Sequence, residues 1–525
     1  MVPSTDLFKL IKSLTKSEKR YFKLFAGFSG ERKENNSLKL FDAIDALEEY
    51  DENFLKEKFK NETFAKQFAV AKNYLQQLII KSLTAYHNES SPVMQIYEML
   101  QSIEVLYDKG HFNICRKIIQ RGKELCVENE KHLLLERFIE LESKILMRNS
   151  DFSNVSESID KQVETLNNYK LTLDHKKSVF AMYAKTAEIG VATTEEELAS
   201  LNQLVLSLNP QEPKDVAGKY YLYSFYNLYY CGIDDHFSMH DYAEKIIALL
   251  ELNPFFIEES PGAYLSALNN YCSSLMRFGE IEKVLQLIKK MRAIPEQKIF
   301  AHKKVEILPS LIFSYGLELY AYMSLGKMEK ALALETDIKQ ILNEYSNYIH
   351  KNSVFEISFN MALAHFTVNN YNSTLSWLAD IINSYNLQYR EDLYLASRIL
   401  ALMAHYELRN VVLLYNLITS TNRYLKNKKL LNGIESALLQ FLKSTAITDE
   451  ETKKEKLIEF KNKVLQLRHE PVSGKILHSI DLLAWAESKL TKKPMSEYMS
   501  KHYLEMVSEE KKKYLKIHTS VKTKK

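Results

Sequence analysis

The chain has 525 residues, too many for one compact core, so its elements are either divided among domains or strung along a core that grows in one dimension. Hydrophobic residues at 46% and charged residues at 26% exclude wholesale disorder, and 13 Gly with 10 Pro are too few for the many special turns of a strand-rich fold, so the chain reads as all-α. A net charge of +3 is too close to balance to imply a polyanionic partner for the chain as a whole.

In chain order, residues 1–23 alternate apolar and basic positions without a signal-length apolar run. No run of about 18 apolar residues follows, so no membrane insertion is expected and the location reads as cytoplasmic. Residues 1–90 form an N-terminal helical region. Thr15-Lys16-Ser17-Glu18 is a capping box at the head of a helix over 18–28, because the Thr15 oxygen can accept a free backbone N–H while Glu18 reaches back. A loop over 30–36 and a helix over 38–49 come next. The strongest helix of this region is predicted over 64–86, where Phe64, Phe68, Ala71, Leu75, Leu78, Ile79, Ser82 and Tyr86 project within about 100° of arc. Ser90-Ser91-Pro92 then punctuates the chain, proline suiting the first turn of a new helix.

From 91 to 430 a short signature recurs about every 43 residues: a turn residue, then apolar or small positions at +2, +5, +9 and +12. The clearest copies are Gly110, Phe112, Cys115, Ile119, Gly122 and Gly279, Ile281, Val284, Ile288, Met291. Others begin at Ser150, at Ser238 (His240, Ala243, Ile247, Leu250), at Gly326, at Asn369 and at Arg409, and a degenerate copy fits near Thr193. Each signature marks the turn between two antiparallel helices, with the +5, +9 and +12 residues on one face of the second. Pro254 and Pro295, each 16 residues beyond an anchor, stand where the second helix stops. The predicted architecture is an α-solenoid of about eight antiparallel hairpins flanked by helical regions.

The Gly110, Phe112, Cys115 triplet and its equivalents at Gly279 and Gly326 resemble the tetratricopeptide family of helical-hairpin repeats, over about two-thirds of the chain. The period is longer than that family's, the family's first-helix tryptophan is missing, and Gln162, Glu335 and Thr421 occupy slots expected to be apolar. The resemblance implies a superhelical array whose concave groove binds peptides or protein segments.

Residues 431–510 read as a helical cap closing the array, with Thr448-Asp449-Glu450-Glu451 as a capping box before a helix over 453–467 and an amphipathic helix over 476–490 around Trp485. Residues 511–525 form a lysine-rich tail expected to be disordered.

No GxGxxG, GxxxxGK[ST], GxSxG or HExxH pattern occurs, so an enzyme and a bound cofactor are not expected. Cys115, Cys126, Cys231 and Cys272 form no CxxC and read as reduced, buried, small hydrophobes. Asp235, His236, His240 and Asp241 have metal-like spacing, but His240 falls in the +2 slot, where a packing ring suffices. The sharper feature is the ring-dense segment Tyr220, Tyr221, Tyr223, Phe225, Tyr226, Tyr229, Tyr230, which spreads beyond the stripe one core face requires. Either this helix is buried on several sides, or Tyr220, Tyr223, Tyr226 and Tyr230 face a groove and offer stacking surface to a protein or peptide partner. The reading is therefore an interaction scaffold. Its alternative is a nucleic-acid-associated regulator, with helices over 53–60 and 64–86 as a helix-turn-helix-like pair, although Lys66, Lys72 and Lys81 point in three directions. The first 33 residues add Lys9, Lys12, Lys16, Lys19, Arg20, Lys23, Arg32 and Lys33 against three acids.

Overall fold

The computed structural model describes residues 5–28, 36–88, 91–148, 150–192, 194–297, 300, 303–345, 349–384, 391–428, 431, 433–467 and 479–522, the side chains of 304, 305, 391, 392 and 513–522 excepted. Among these residues every regular element is helical, as the scarcity of glycine and proline predicts. The chain divides into two compact units, Met1–Asn167 and Asn168–Lys525.

The first unit holds α1 (Asp6–Ser13), α2 (Lys16–Phe28), α3 (Asn36–Asp45), α4 (Glu52–Lys58), a 3-10 turn (Thr63–Gln67), α5 (Phe68–Tyr86), α6 (Pro92–Asp108), α7 (Phe112–Glu128), α8 (His132–Arg148) and the start of α9 (Phe152–Ile189). The capping box is made: the Glu18 N–H donates to Thr15 Oγ1 at 3.2 Å and the Thr15 N–H to Glu18 Oε2 at 2.7 Å. The helix over 38–49 stops earlier, at Asp45, and the 64–86 helix begins only at Phe68, its Phe64 end being the 3-10 turn. Phe68, Leu75, Leu78, Ile79 and Ser82 are buried as the stripe predicts, whereas Tyr86 is 40% exposed. Ser91 caps α6 through the Met94 N–H, with Pro92 in the first turn. At +12 from Gly110, Gly122 lacks the Cβ that would lie 2.2 Å from the Phe138 ring, so α7 and α8 meet at a glycine for want of space. The expected loop over 30–36 lies outside the described residues except at Asn36, which begins α3.

The second unit continues α9 and adds α10 (Glu195–Leu206), α11 (Val216–Gly232), α12 (His236–Glu251), α13 (Pro254–Glu259), α14 (Pro261–Arg277), α15 (Ile281–Ala293), α16 (Lys304–Ser324), α17 (Met328–Ala333) and α18 (Glu335–Glu344). It closes with α19 (Lys351–Thr367), α20 (Tyr371–Asn383), α21 (Glu391–Glu407), α22 (Val411–Asn427), α23 (Gly433–Thr445), α24 (Glu450–Leu467), α25 (Leu482–Thr491) and α26 (Met495–Lys522). From α11 to α18 and from α19 to α26 helices adjacent in sequence pack together, and α14, α16, α19 and α21 also pack on one another in series.

The turns before α7, α9, α15, α17, α20 and α22 each place the expected anchor in the left-handed region: Gly110 at φ 78°, Ser150 at 55°, Gly279 at 74°, Gly326 at 69°, Asn369 at 62° and Arg409 at 57°. The seventh anchor is corrected. Asp234, at φ 60°, and not Ser238, makes the turn, so α12 begins at His236 and the +2 slot belongs to His236 instead of His240. Shifting the pattern by four residues on a helix lands on the same face, which is why Ser238 satisfied it as well. In the +5 slot Cys115, Val155, Met239, Val284, Ala331, Thr374 and Leu414 are all buried. The polar residues in apolar slots have partners: Gln162 bonds Glu136 at 2.5 Å, Glu335 accepts from the Trp377 indole at 3.2 Å, and Thr421 accepts from Arg398 at 3.0 Å.

Toward the C-terminal end, Asp449 and not Thr448 caps α24, its Oδ1 accepting from the Thr452 N–H at 2.9 Å. Trp485 is 1% exposed among Tyr406, Phe441 and Phe460, and its indole donates to Glu407 at 2.8 Å. The helix predicted over 476–490 appears as α25; residues 468–478 lie outside those described. Where a disordered lysine tail is expected from 511, the backbone of α26 stays helical to Lys522.

Candidate functional site

Asp215 sets the start of α11 by accepting from the Gly218 N–H at 2.7 Å, and that phase decides where each ring of the segment points. Phe225 is fully buried with Val179, Met182 and Leu201, and the neighbouring Tyr229 donates its hydroxyl to Asn202 at 2.8 Å. Tyr221 packs on the same cluster, with the Lys176 ammonium 5.8 Å from its ring centre. Tyr220 points elsewhere, against Phe256 of α13 at 5.4 Å, and burial pushes its phenol up to about 12. The helix is thus enclosed on two sides.

Its third side carries Tyr223, Tyr226 and Tyr230, spaced i, i+3, i+7 on one face. These half-buried rings meet Tyr242 of α12, a residue the sequence reading missed because it lies on the partner helix of the hairpin. Tyr226 and Tyr242 are 5.0 Å apart at 26°, Tyr230 and Tyr242 5.7 Å at 23°, and Tyr226 and Tyr230 6.3 Å at 27°. Three near-parallel rings at such similar separations cannot form a column, whose outer pair would stand about twice as far apart as neighbours. They form an offset-stacked trio with Tyr242 against both Tyr226 and Tyr230. Tyr223 stands beside the trio, 6.1 Å from Tyr242 and tilted 60° to it, and the Lys245 ammonium sits 4.3 Å over the Tyr242 ring, a cation–π contact. Among the described residues the hydroxyls of Tyr226, Tyr230 and Tyr242 have no hydrogen-bond partner. Burial raises the Tyr230 and Tyr242 phenols, so both stay protonated donors at neutral pH. The face offers aromatic ring surface, phenolic donors and one cation. Of the four residues expected to line a groove, the structure brings Tyr223, Tyr226 and Tyr230 together and sends Tyr220 to a different cluster.

The other constellations are engaged in packing. Asp235 caps α12 through the Phe237 and Ser238 N–H groups. His236 is buried and pairs with Asp234 at 3.2 Å, while His240 bonds Ser274 at 2.9 Å and stacks on Tyr271. No group of three or more His, Cys, Asp or Glu able to hold a metal occurs among the described residues. In the N-terminal region Lys19 and Lys23 pair with Asp45 and Asp42 of α3, and Lys72 pairs with Glu52 at 2.5 Å. These pairs take up cations a phosphate backbone would need. Among the described residues no helix is long and apolar enough to cross a membrane. The chain matches no protein-family model and no curated protein sequence.

Proposed function

We propose that this protein is a non-enzymatic, cytoplasmic interaction scaffold: a tetratricopeptide-like solenoid of about eight hairpins, with a period near 43 residues, that holds a peptide or protein segment. The recurring left-handed anchors and the serial packing of α14, α16, α19 and α21 support the solenoid. The observation that carries the binding role is the stacked trio of Tyr226, Tyr230 and Tyr242 with its unpartnered hydroxyls. Buried aromatic residues normally find partners for their polar ends, and rings with free hydroxyls at a surface are the composition of protein-binding hot spots.

The test is affinity capture from native lysate with the full chain, washed at low and moderate salt after nuclease treatment. The expected result is a discrete protein partner whose recovery falls about tenfold with Tyr226→Ala/Tyr230→Ala while the helical melt is retained. Equal recovery by the double variant would remove the tyrosine face from the reading. Recovery of nucleic acid alone, lost at moderate salt, would shift the reading to the N-terminal alternative.

A further inference from the structure

The last helix does not extend the row of hairpins. It folds back across turns made more than two hundred residues earlier: the Tyr503 hydroxyl donates to the Met276 carbonyl in the last turn of α14 at 2.6 Å, and Arg277 approaches the Met506 sulfur at 3.4 Å. Val507 fills the space that a Cβ on Gly279 would occupy, 2.8 Å away. One hairpin further on, the Ser496 carbonyl and the Ser500 Cβ lie 3.4 and 3.7 Å from where a Cβ on Gly326 would stand. Further again, Thr367 at the end of α19 reaches the Met499 sulfur at 3.6 Å. At a rise of about 1.5 Å per residue, α26 travels about 10 Å between Ser500, beside Gly326, and Val507, beside Gly279, the usual distance between packed helices.

The docked face is Met495, Ser496, Met499, Ser500, Tyr503 and Val507. It is mostly methionine and small residues, chemistry that adapts to a surface, with Val507 seated where Gly279 leaves room, while Leu504 at the edge of that face is 60% exposed. We propose that α26 is a releasable strap, and that the surface it covers on α14, α16 and the end of α19 is a docking site for an amphipathic helix of a partner protein. That helix would carry the same face: small residues opposite Gly326 and an aromatic and a branched residue opposite the end of α14 and Gly279. Charge does not select the occupant; the match is small residue to glycine and ring to helix end. The inference rests on the scaffold reading but not on the tyrosine face, and it names the partner as helical.

Two measurements on the full chain decide it. The first is hydrogen exchange of the wild-type protein. The strap requires α26 amides to exchange at least about tenfold faster than those of α14 and α16, by local opening. Equal protection would make α26 a fixed part of the core and end the proposal. The second uses a fluorescent peptide reproducing residues 493–514, added to wild type and to Tyr503→Ala/Val507→Glu. The variant, its own helix displaced, is expected to bind the probe about tenfold tighter than wild type, with α14 and α16 still protected. Equal binding to both chains, or none to a variant that keeps that protection, overturns the proposal. Dimerisation of the variant without probe binding would assign the surface to a second copy, which also overturns it. Loss of capture by the tyrosine variants with an intact strap response would leave this inference standing, so the two readings fail separately.

Discussion

Two stretches of the second unit use the same left-handed turn and treat the surface beside it in opposite ways. Around Gly279 and Gly326 another helix lies over the turn, and the turn residue has no side chain. At Asp234, between α11 and α12, and at Arg409, between α21 and α22, the turn residue has one; at Arg409 it reaches out to Glu450 at 3.6 Å. Backbone handedness alone therefore does not demand glycine in this protein, since Asp, Asn, Ser and Arg all adopt it. At Gly279 a neighbour closer than a methyl group allows, Val507 at 2.8 Å, adds its own demand for glycine. In the covered stretch Gly279 and Gly326 are half-buried beside exposed Glu280 and Lys327, whereas the α11–α12 hairpin keeps a stacked trio of half-buried tyrosines beside its turn.

Glycine substitution tests this distinction most strongly. Gly110 has a φ of 78°, like Gly279, but nothing lies within 4 Å of its absent Cβ. Gly110→Ala is expected to cost about 1 kcal/mol for backbone conformation, and Gly279→Ala about 3 kcal/mol, because Val507 must also move. Urea melts read both. Adding Val507→Ala should recover about 1 kcal/mol for Gly279→Ala and nothing for Gly110→Ala. Equal costs at the two glycines would show that α26 does not press on the turn.

A smaller effect separates two tyrosines. Tyr503→Phe removes a hydroxyl that donates to the Met276 carbonyl and should lower stability by about 1 kcal/mol, whereas Tyr230→Phe removes an unpartnered one and should stay within about 0.5 kcal/mol. A Tyr230→Phe loss as large as that of Tyr503→Phe would mean the tyrosine trio is bonded into the fold and is not an open face.

The mildest effect is on pH. His502 of α26 lies between Asp481, 2.8 Å from Nδ1, and Glu487, 3.1 Å from Nε2, with Lys461 on the far side of Glu487 at 2.7 Å. Its bonds to Asp481 outweigh burial and, with Glu487, hold its pKa above the ordinary value. A pKa raised by folding means the stabilisation is complete below the unfolded value, about 6.5, and fades as pH climbs through the raised folded value. Exchange of α26 amides, corrected for intrinsic rates, should therefore quicken above pH 6.5 in wild type and lose that dependence in His502→Gln. A variant with unchanged pH dependence would show that His502 does not hold the strap.

The sequence announced the turns because a left-handed residue followed by a new amphipathic face is a local signal, complete within about a dozen positions. It misplaced one turn, choosing Ser238 over Asp234, because His240, Ala243, Ile247 and Leu250 satisfy the same offsets one helical turn later. The aromatic site was legible only in part. Tyr223, Tyr226 and Tyr230 share a face by spacing alone, but Tyr242 joins them only once the hairpin closes, and Tyr220 leaves them because Phe256 of α13 is there to receive it. The return of α26 had no sequence signal. Its partners lie between 132 and 229 positions away, and lysines at the end of a chain read as solvent-facing whatever the residues before them touch.

That return also sets an order of events during synthesis. The bond between Tyr503 and Met276 joins residues 227 positions apart. At ribosomal rates of about 5–20 residues per second, α14 is complete about 10–45 s before Tyr503 exists. α16 follows α14 within that interval, and from then until α26 is made the edge the two helices form stands uncovered on the growing chain.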